Sequence, residues 1–126
     1  MVKTPIEVRR VYDDPKGRRG ERRVLVDRLW PRGLAKSDLR IDWWAKELAP
    51  STELRQWYGH DPDRFEEFAR RYRDELSAPE LRRVAAEVLE QARRGQVVLL
   101  TATRDVERSG ARVLAERLRR SGARRR

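Results

Sequence analysis

The chain has 126 residues, a formal net charge of +10, no cysteine and one histidine. This length fits one domain with a modest core, and the missing cysteines exclude disulfides, thiolate catalysis and cysteine-bound zinc. The single histidine excludes an all-histidine metal site within one subunit, and no motif supports the remaining alternative, a carboxylate-bound divalent ion, so we predict no metal site. No run of about 18 apolar residues could cross a bilayer, and the first residues lack the apolar core of a signal peptide, so we expect a cytoplasmic protein without membrane contact.

The first predicted elements are two strands, at about residues 6–12 and 22–29. The loop between them, DDPKGRRG, is dense in turn-forming residues and too short to hold a crossover helix. Because parallel neighbours need a connection of a dozen or more residues, the two strands are either an antiparallel hairpin or not adjacent.

Capping residues predict a helical insert over about residues 38–94. A first helix starts at Ser37 or Asp38 and runs to about residue 48, where Pro50 ends it. A short helix over 51–58 is capped by Ser51 and closed by Gly59.

Two longer helices complete the insert, and their apolar residues recur at helical spacing. Asp61 and Pro62 start the first, which runs to about Leu76 and buries an aromatic stripe. A capping box from Ser77 to Glu80 starts the second, which Gly95 ends.

The apolar run VVLLTA, residues 97–102, predicts a central strand that is covered on both faces. A final helix follows, capped by Asp105 or a neighbouring residue, with Val106, Val113, Leu114 and Leu118 facing inward. We therefore expect one α/β domain over residues 1–120, followed by a basic tail over 121–126. Its small mixed or parallel sheet has about three strands, is flanked by helices on both faces and carries the helical insert between its second and last strands.

Polar side chains follow the second and the last predicted strands where these strands end. The segment VLVDRLWPRG, residues 24–33, places Asp27, Arg28, Trp30 and Arg32 after one strand, and Arg104 follows the last strand. Open α/β sheets bind ligands at the carboxyl ends of their strands, so a pocket for a small anionic or planar ligand is predicted at this edge.

The residue types at this edge define the predicted ligand. Three guanidiniums offer forked donors to phosphate or carboxylate, Lys46 adds a point charge, and two indoles can wall the site or stack on a planar group. The ligand-binding candidates are Arg28, Trp30, Arg32, Trp43, Lys46 and Arg104. The alternative is structural: Asp27 pairs internally with Arg28 or Arg104, and both Trp30 and Trp43 belong to the core.

Several motifs together resemble the YeaO-like branch of the domain of unknown function 488 family. They are VYDDPKG, VLVDRLWPRGL, WWAKELAPSTELRQWYGHDPDRFEEFARRYRDEL and VVLLTATRD…ARVLAERL, and the resemblance covers about residues 6–120. It implies a compact bacterial α/β domain and no particular activity. Members typically carry a tyrosine in the last strand and an Asn-His pair early in the last helix, where this chain has Thr101, Ser109 and Gly110.

This departure leaves Asp27 and Ser109 as the catalytic candidates. Asp27 can act as a base if its pKa is raised, whereas Ser109 needs a base to become a nucleophile. The only imidazole is that of His60, and its place in the turn Gly59-His60-Asp61-Pro62 favours ordinary helix entry over a catalytic role. The chain contains no dinucleotide fingerprint, P-loop or nucleophile elbow, so we predict no nucleotide cofactor.

Two segments carry the net positive charge. Residues 117–126 hold six arginines and no acid, residues 16–23 hold five basic residues against Glu21, and the rest of the chain is formally neutral. Both segments are either solvated or attract the phosphates of nucleic acid, with binding that salt weakens. The nucleic-acid candidates are Arg18, Arg19, Arg22, Arg23, Arg124 and Arg125.

Three functions therefore remain open from the sequence: an anion-binding or small-molecule-binding domain that is also an enzyme, a nucleic-acid-binding protein, and a non-catalytic interaction domain. The sequence does not define the oligomeric state.

Overall fold

A computed structural model describes residues 5–124, in which four parallel strands form one sheet. The strands are β1 (Ile6–Arg10), β2 (Arg22–Leu25), β3 (Trp43–Trp44) and β4 (Val97–Thr101), and their spatial order is β1-β4-β2-β3. The predicted α/β class and the central position of β4 are confirmed, with one strand more than expected. Because β4 lies between β1 and β2, these first two strands are not adjacent.

The residues of β4 are all buried, as expected for a strand covered on both faces. Alternate side chains of a strand point to opposite faces. Val97 and Leu99 belong to one apolar cluster, whereas Val98 and Leu100 belong to a second cluster on the other face.

The described part of the chain contains four α-helices: α1 (Thr52–Tyr58), α2 (Phe65–Leu76), α3 (Pro79–Arg94) and α4 (Gly110–Arg124). Their buried residues all join the cluster that contains Leu99, so these helices cover one face of the sheet. None of the helices within residues 5–124 has the length and apolar character needed to cross a membrane.

The other face of the sheet is covered by irregular chain instead of the expected helices. Its cluster consists of Val11 and residues of the segment 25–44, together with β4. The helix predicted from Ser37 or Asp38 to Leu48 is wrong, because Trp43 and Trp44 pair with β2 as a short edge strand and only Lys46–Leu48 form a 3₁₀ turn. Sheet pairing overrides the local helical pattern here, and the Asp38 carboxylate closes a turn by accepting from the Ala35 amide at 2.9 Å.

Capping predictions around the insert are confirmed at α1 and at the entry to α2. Ser51 Oγ accepts from the Leu54 amide at 3.1 Å, and Gly59 ends α1 in a left-handed conformation. Asp61 caps the 3₁₀ turn Pro62–Arg64 that leads into α2.

Two boundaries differ from the predictions. No capping box forms at Ser77, because this residue is the C-cap of α2, with helical dihedrals, and its hydroxyl donates back to the Asp74 carbonyl at 2.6 Å. The last helix is capped by Ser109 rather than by Asp105, since Ser109 Oγ accepts from the Arg112 amide at 3.1 Å. Helix α4 runs to Arg124, so residues 121–124 of the predicted tail are helical, whereas Arg125 lies outside the described residues.

The loop between β1 and β2 wraps around one fully buried arginine, Arg23. Its guanidinium donates to the carbonyl of Arg40 at 2.7 Å and to the carbonyl of Asp14 at 2.6 Å. The Asp14 carboxylate lies 3.6 Å from its Nη1. Arg23 is therefore a structural residue, and the prediction that it contacts nucleic acid is wrong, because its side chain is not exposed to solvent.

Gly17 and Gly20 in this loop form a matched pair for testing the Arg23 contacts. Both have positive φ, at 67° and 89°, so an alanine costs about 1–2 kcal/mol at either position. A Cβ at Gly17 would also overlap the Arg23 guanidinium, whereas a Cβ at Gly20 meets nothing within 4 Å. We expect Gly17→Ala to lower the free energy of unfolding by about 1–3 kcal/mol more than Gly20→Ala, measured by urea denaturation. Equal losses would show that Arg23 does not hold the loop.

Candidate functional site

A cavity of about 700 Å³ opens at the carboxyl ends of the strands. Its walls come from Tyr12 after β1, the segment 26–32 after β2, the segment 102–105 after β4, helix α1 and the start of α4. Parallel strands end at one edge, so the sheet order brings these separate segments together.

Asp27 joins the ends of β2 and β4 at this cavity. Its carboxylate accepts from Thr101 Oγ1 at 2.7 Å and from the Ala102 amide at 2.7 Å. Its carbonyl accepts from the Trp44 indole at 2.7 Å, which ties the same residue to β3. Burial raises the pKa of Asp27, and the donors from Ala102 and Thr101 oppose that rise.

Asp27 forms no ion pair with Arg28 or Arg104 among the described residues, so the alternative structural network is not formed. Arg28 instead donates from Nε to the Pro50 carbonyl and from Nη2 to the Ala49 carbonyl, each at 3.2 Å. These carbonyls fix the orientation of the guanidinium, and no carboxylate within the described residues neutralises its charge.

The cavity lining is positively charged. Four arginines contribute to it: Arg28, Arg32, Arg55 and Arg104. Within residues 5–124 none of them lies within 4.0 Å of a carboxylate. Both acids of the lining are already engaged, since Asp27 accepts the two bonds above and Asp105 pairs with Arg108 at 3.0 Å.

Aromatic side chains hold the loop that carries Arg32. The Trp30 indole donates to the Leu34 carbonyl at 2.6 Å, and the Trp30 and Trp44 rings pack edge to face with their centroids 5.6 Å apart. The Tyr12 hydroxyl donates to the Arg32 carbonyl at 2.7 Å. Trp30 and Tyr12 both line the cavity, so they shape it as well as fixing the loop.

Ser109 and His60 also lie on the lining, but each has a structural role. The buried Ser109 hydroxyl donates to the Val106 carbonyl at 2.7 Å while it caps α4. His60 is exposed and has a left-handed backbone, with φ of 59°, which turns the chain between α1 and the Asp61 cap. No hydrogen bond joins Ser109 to His60 in the described part of the chain.

Two predicted ligand residues lie elsewhere. Trp43 packs against the helical side of the core, and Lys46 Nζ sits 4.2 Å from the centroid of the Trp44 ring. Arg18, Arg19 and Arg22 are exposed and do not line the cavity. Between residues 5 and 124 there is no group of three or more side chains that could hold a metal ion.

Sequence reasoning missed Arg55, which α1 brings to the cavity. Arg55 stands in a helix with no adjacent turn or strand end. In a chain with 31 basic residues, its type alone carries no signal.

The raised pKa of Asp27 predicts a pH dependence of stability. Between pH 3.8 and the pKa of Asp27 in the folded state, this carboxyl is protonated in the folded chain and ionised in the unfolded chain. The contribution of this carboxyl to the free energy of unfolding therefore falls as pH rises through that window. The amide introduced by Asp27→Asn does not titrate, so the stability of the wild type relative to this variant should fall as pH rises from 3.8 and then level off.

Urea unfolding of both proteins over a pH series measures this difference. Asp105→Asn, on the exposed rim of the same cavity, is the matched control. A wild type that gains stability relative to Asp27→Asn as pH rises would contradict the burial of the Asp27 carboxyl. The same contradiction would follow if the stability of the wild type relative to Asp105→Asn fell equally over that pH range.

Comparisons with known proteins identify the family. A model described as the inactive DUF488-N3 subclade matches residues 5–126. An uncharacterised protein of Mycobacterium tuberculosis (strain H37Rv) is 49% identical over 115 residues, covering 91% of this chain and 94% of that protein. The uncharacterised protein YeaO of Escherichia coli K12 is 38% identical over 114 residues, covering 90% and 96%. No solved structure matches the chain. The predicted resemblance is confirmed, and the chain belongs to the inactive DUF488-N3 subclade.

Proposed function

We propose that the chain binds a small organic anion in the cavity at the strand ends and performs no covalent chemistry there. The observation that carries the proposal is the set of four lining arginines without a carboxylate partner among the described residues. Guanidiniums pair with carboxylates at many other places in the chain, so their lack of acid partners in a concave site favours an external anion.

The donor geometry suits a carboxylate or a phosphate group. A guanidinium presents a planar fork that can form two parallel hydrogen bonds to either. Arg28 is half-buried and already oriented by two carbonyls, so it loses little freedom on binding. Arg32, Arg55 and Arg104 are exposed and add charge around it.

The rest of the lining favours an anion with an apolar or planar body. Tyr12, Leu29 and Trp30 contribute carbon surface, and the volume lies in the ordinary range of about 300–1,000 Å³ for small-molecule sites. A small inorganic ion would leave most of that surface without contacts.

Binding without catalysis fits the hydrogen bonds of the two candidate groups. A nucleophile needs an adjacent base, and Ser109 instead uses its hydroxyl to start α4. Asp27 holds two strand ends together. The description of the matching subclade as inactive agrees with this assignment.

Thermal shift and titration calorimetry test the proposal with inorganic phosphate, benzoate and adenosine monophosphate. We expect the organic anions to raise Tm more than phosphate does at the same concentration. A bound anion at 100 times its Kd should raise Tm by on the order of 10 °C. The variant Arg32→Gln/Arg104→Gln should lose the shift. The variant Arg18→Gln/Arg19→Gln removes the same charge from an exposed loop and should keep it.

Two outcomes would overturn the proposal. One is that neither benzoate nor adenosine monophosphate shifts Tm at any concentration tested. The other is that the cavity variant keeps its ligand response.

A further inference from the structure

We propose a second binding surface, a groove between α3 and α4 that binds the phosphate backbone of nucleic acid. The groove has a volume of about 610 Å³, with Arg82 and Arg83 on its α3 side and Arg117 on its α4 side. Its floor is apolar and includes Ala85 and Leu89. The groove lies outside the cavity at the strand ends, and the two share none of the described residues.

A smaller depression of about 140 Å³ adjoins the groove, and Arg117 and Ser121 line both. It adds Arg73 from α2 and Arg120 from α4, and Glu116 is the only acid among the described residues that line it. Guanidiniums from three helices therefore surround one continuous surface.

The arginines of this surface are not neutralised by neighbouring acids. Within the described ranges, no carboxylate lies within 4.0 Å of any of these guanidiniums, which belong to Arg73, Arg82, Arg83, Arg117 and Arg120. Arg117 donates instead to the Arg73 carbonyl at 3.3 Å. On another part of α2, by contrast, Glu67 pairs with Arg70 at 2.6 Å and with Arg71 at 2.7 Å.

The shape and the charge favour an extended polyanion over a folded partner protein. Protein interfaces depend on anchors enriched in tryptophan, tyrosine and arginine, whereas the apolar residues described in this groove are alanine, leucine and proline, with no aromatic ring. Phosphate contacts need only exposed guanidiniums spread along a surface. The sequence also adds Arg124, Arg125 and Arg126 shortly after Ser121, the last lining residue.

Fluorescence anisotropy with a short fluorescein-labelled DNA duplex and the matching single strand, using the full chain, tests this proposal. The groove variant is Arg82→Gln/Arg83→Gln/Arg120→Gln. The matched control is Arg18→Gln/Arg19→Gln/Arg22→Gln, which removes the same charge. All six side chains are exposed and form no ion pair with a described residue, so both variants should fold with an unchanged Tm.

We expect the groove variant to weaken binding by about tenfold or more. On the duplex, the slope of log K against log salt should become shallower by about 0.9 for each phosphate that the variant no longer neutralises. The control should change Kd by less than about twofold. The cavity variant Arg32→Gln/Arg104→Gln should bind DNA as the wild type does, which separates this surface from the proposed anion site.

Three results would overturn the proposal. The wild type fails to bind either DNA at low salt, or both triple variants lose affinity equally, which would mean that only net charge matters. The third result is that polyglutamate displaces the DNA when the concentration of its carboxylates equals that of the DNA phosphates, which would indicate that the groove binds an acidic protein.

Discussion

One half-buried carboxylate determines how the edge of the sheet at the carboxyl ends of its strands is built. Asp27 follows β2 and accepts hydrogen bonds from the hydroxyl of Thr101 and the amide of Ala102, at the end of the neighbouring strand β4. Its own carbonyl accepts from Trp44 in the edge strand β3. The residues after β2 and after β4 are thereby fixed relative to each other. Three of the arginines that line the cavity come shortly after them in the sequence, Arg28 and Arg32 after Asp27 and Arg104 after Ala102.

The arginines of the chain fall into three structural classes. Some stabilise the fold through pairing, as Arg9 does with Asp14 at 2.6 Å and with Glu21 at 2.7 Å. Arg23 is buried under a loop and bonds mainly to carbonyls. The remaining class has no acid partner in the described part of the chain, and members of it collect at the cavity and in the groove between α3 and α4. The net charge of +10 is therefore distributed unevenly, and its functional meaning depends on where the unpaired guanidiniums lie.

Local signals predicted the ends of α1, because the Ser51 cap and the left-handed Gly59 depend on nearby residues, and the structure confirms both. Strand β4 was predicted for a different reason, since its continuous apolar run indicates burial on both faces of a sheet. The convergence of Arg28, Arg32 and Arg104 on one edge also followed from strand direction. Strand β3 could not be predicted, because Trp43 and Trp44 gain their conformation from pairing with β2, some twenty residues earlier. The burial of Arg23 and the position of Arg55 at the cavity likewise arise from tertiary packing, which cannot be predicted from the residue type alone.

Hydrogen exchange at the Ala102 amide, followed by NMR in the wild type and in Asp27→Ala, tests the role of Asp27 most directly. Ala102 lies just beyond β4, so without the Asp27 carboxylate its amide would exchange as a loop amide does. We predict that the wild-type Ala102 amide is protected to the level of the β4 amides and that Asp27→Ala removes this protection while β4 keeps its own. A wild-type Ala102 amide that exchanges at the rate of an exposed loop would contradict the claim that Asp27 fixes the edge of the cavity.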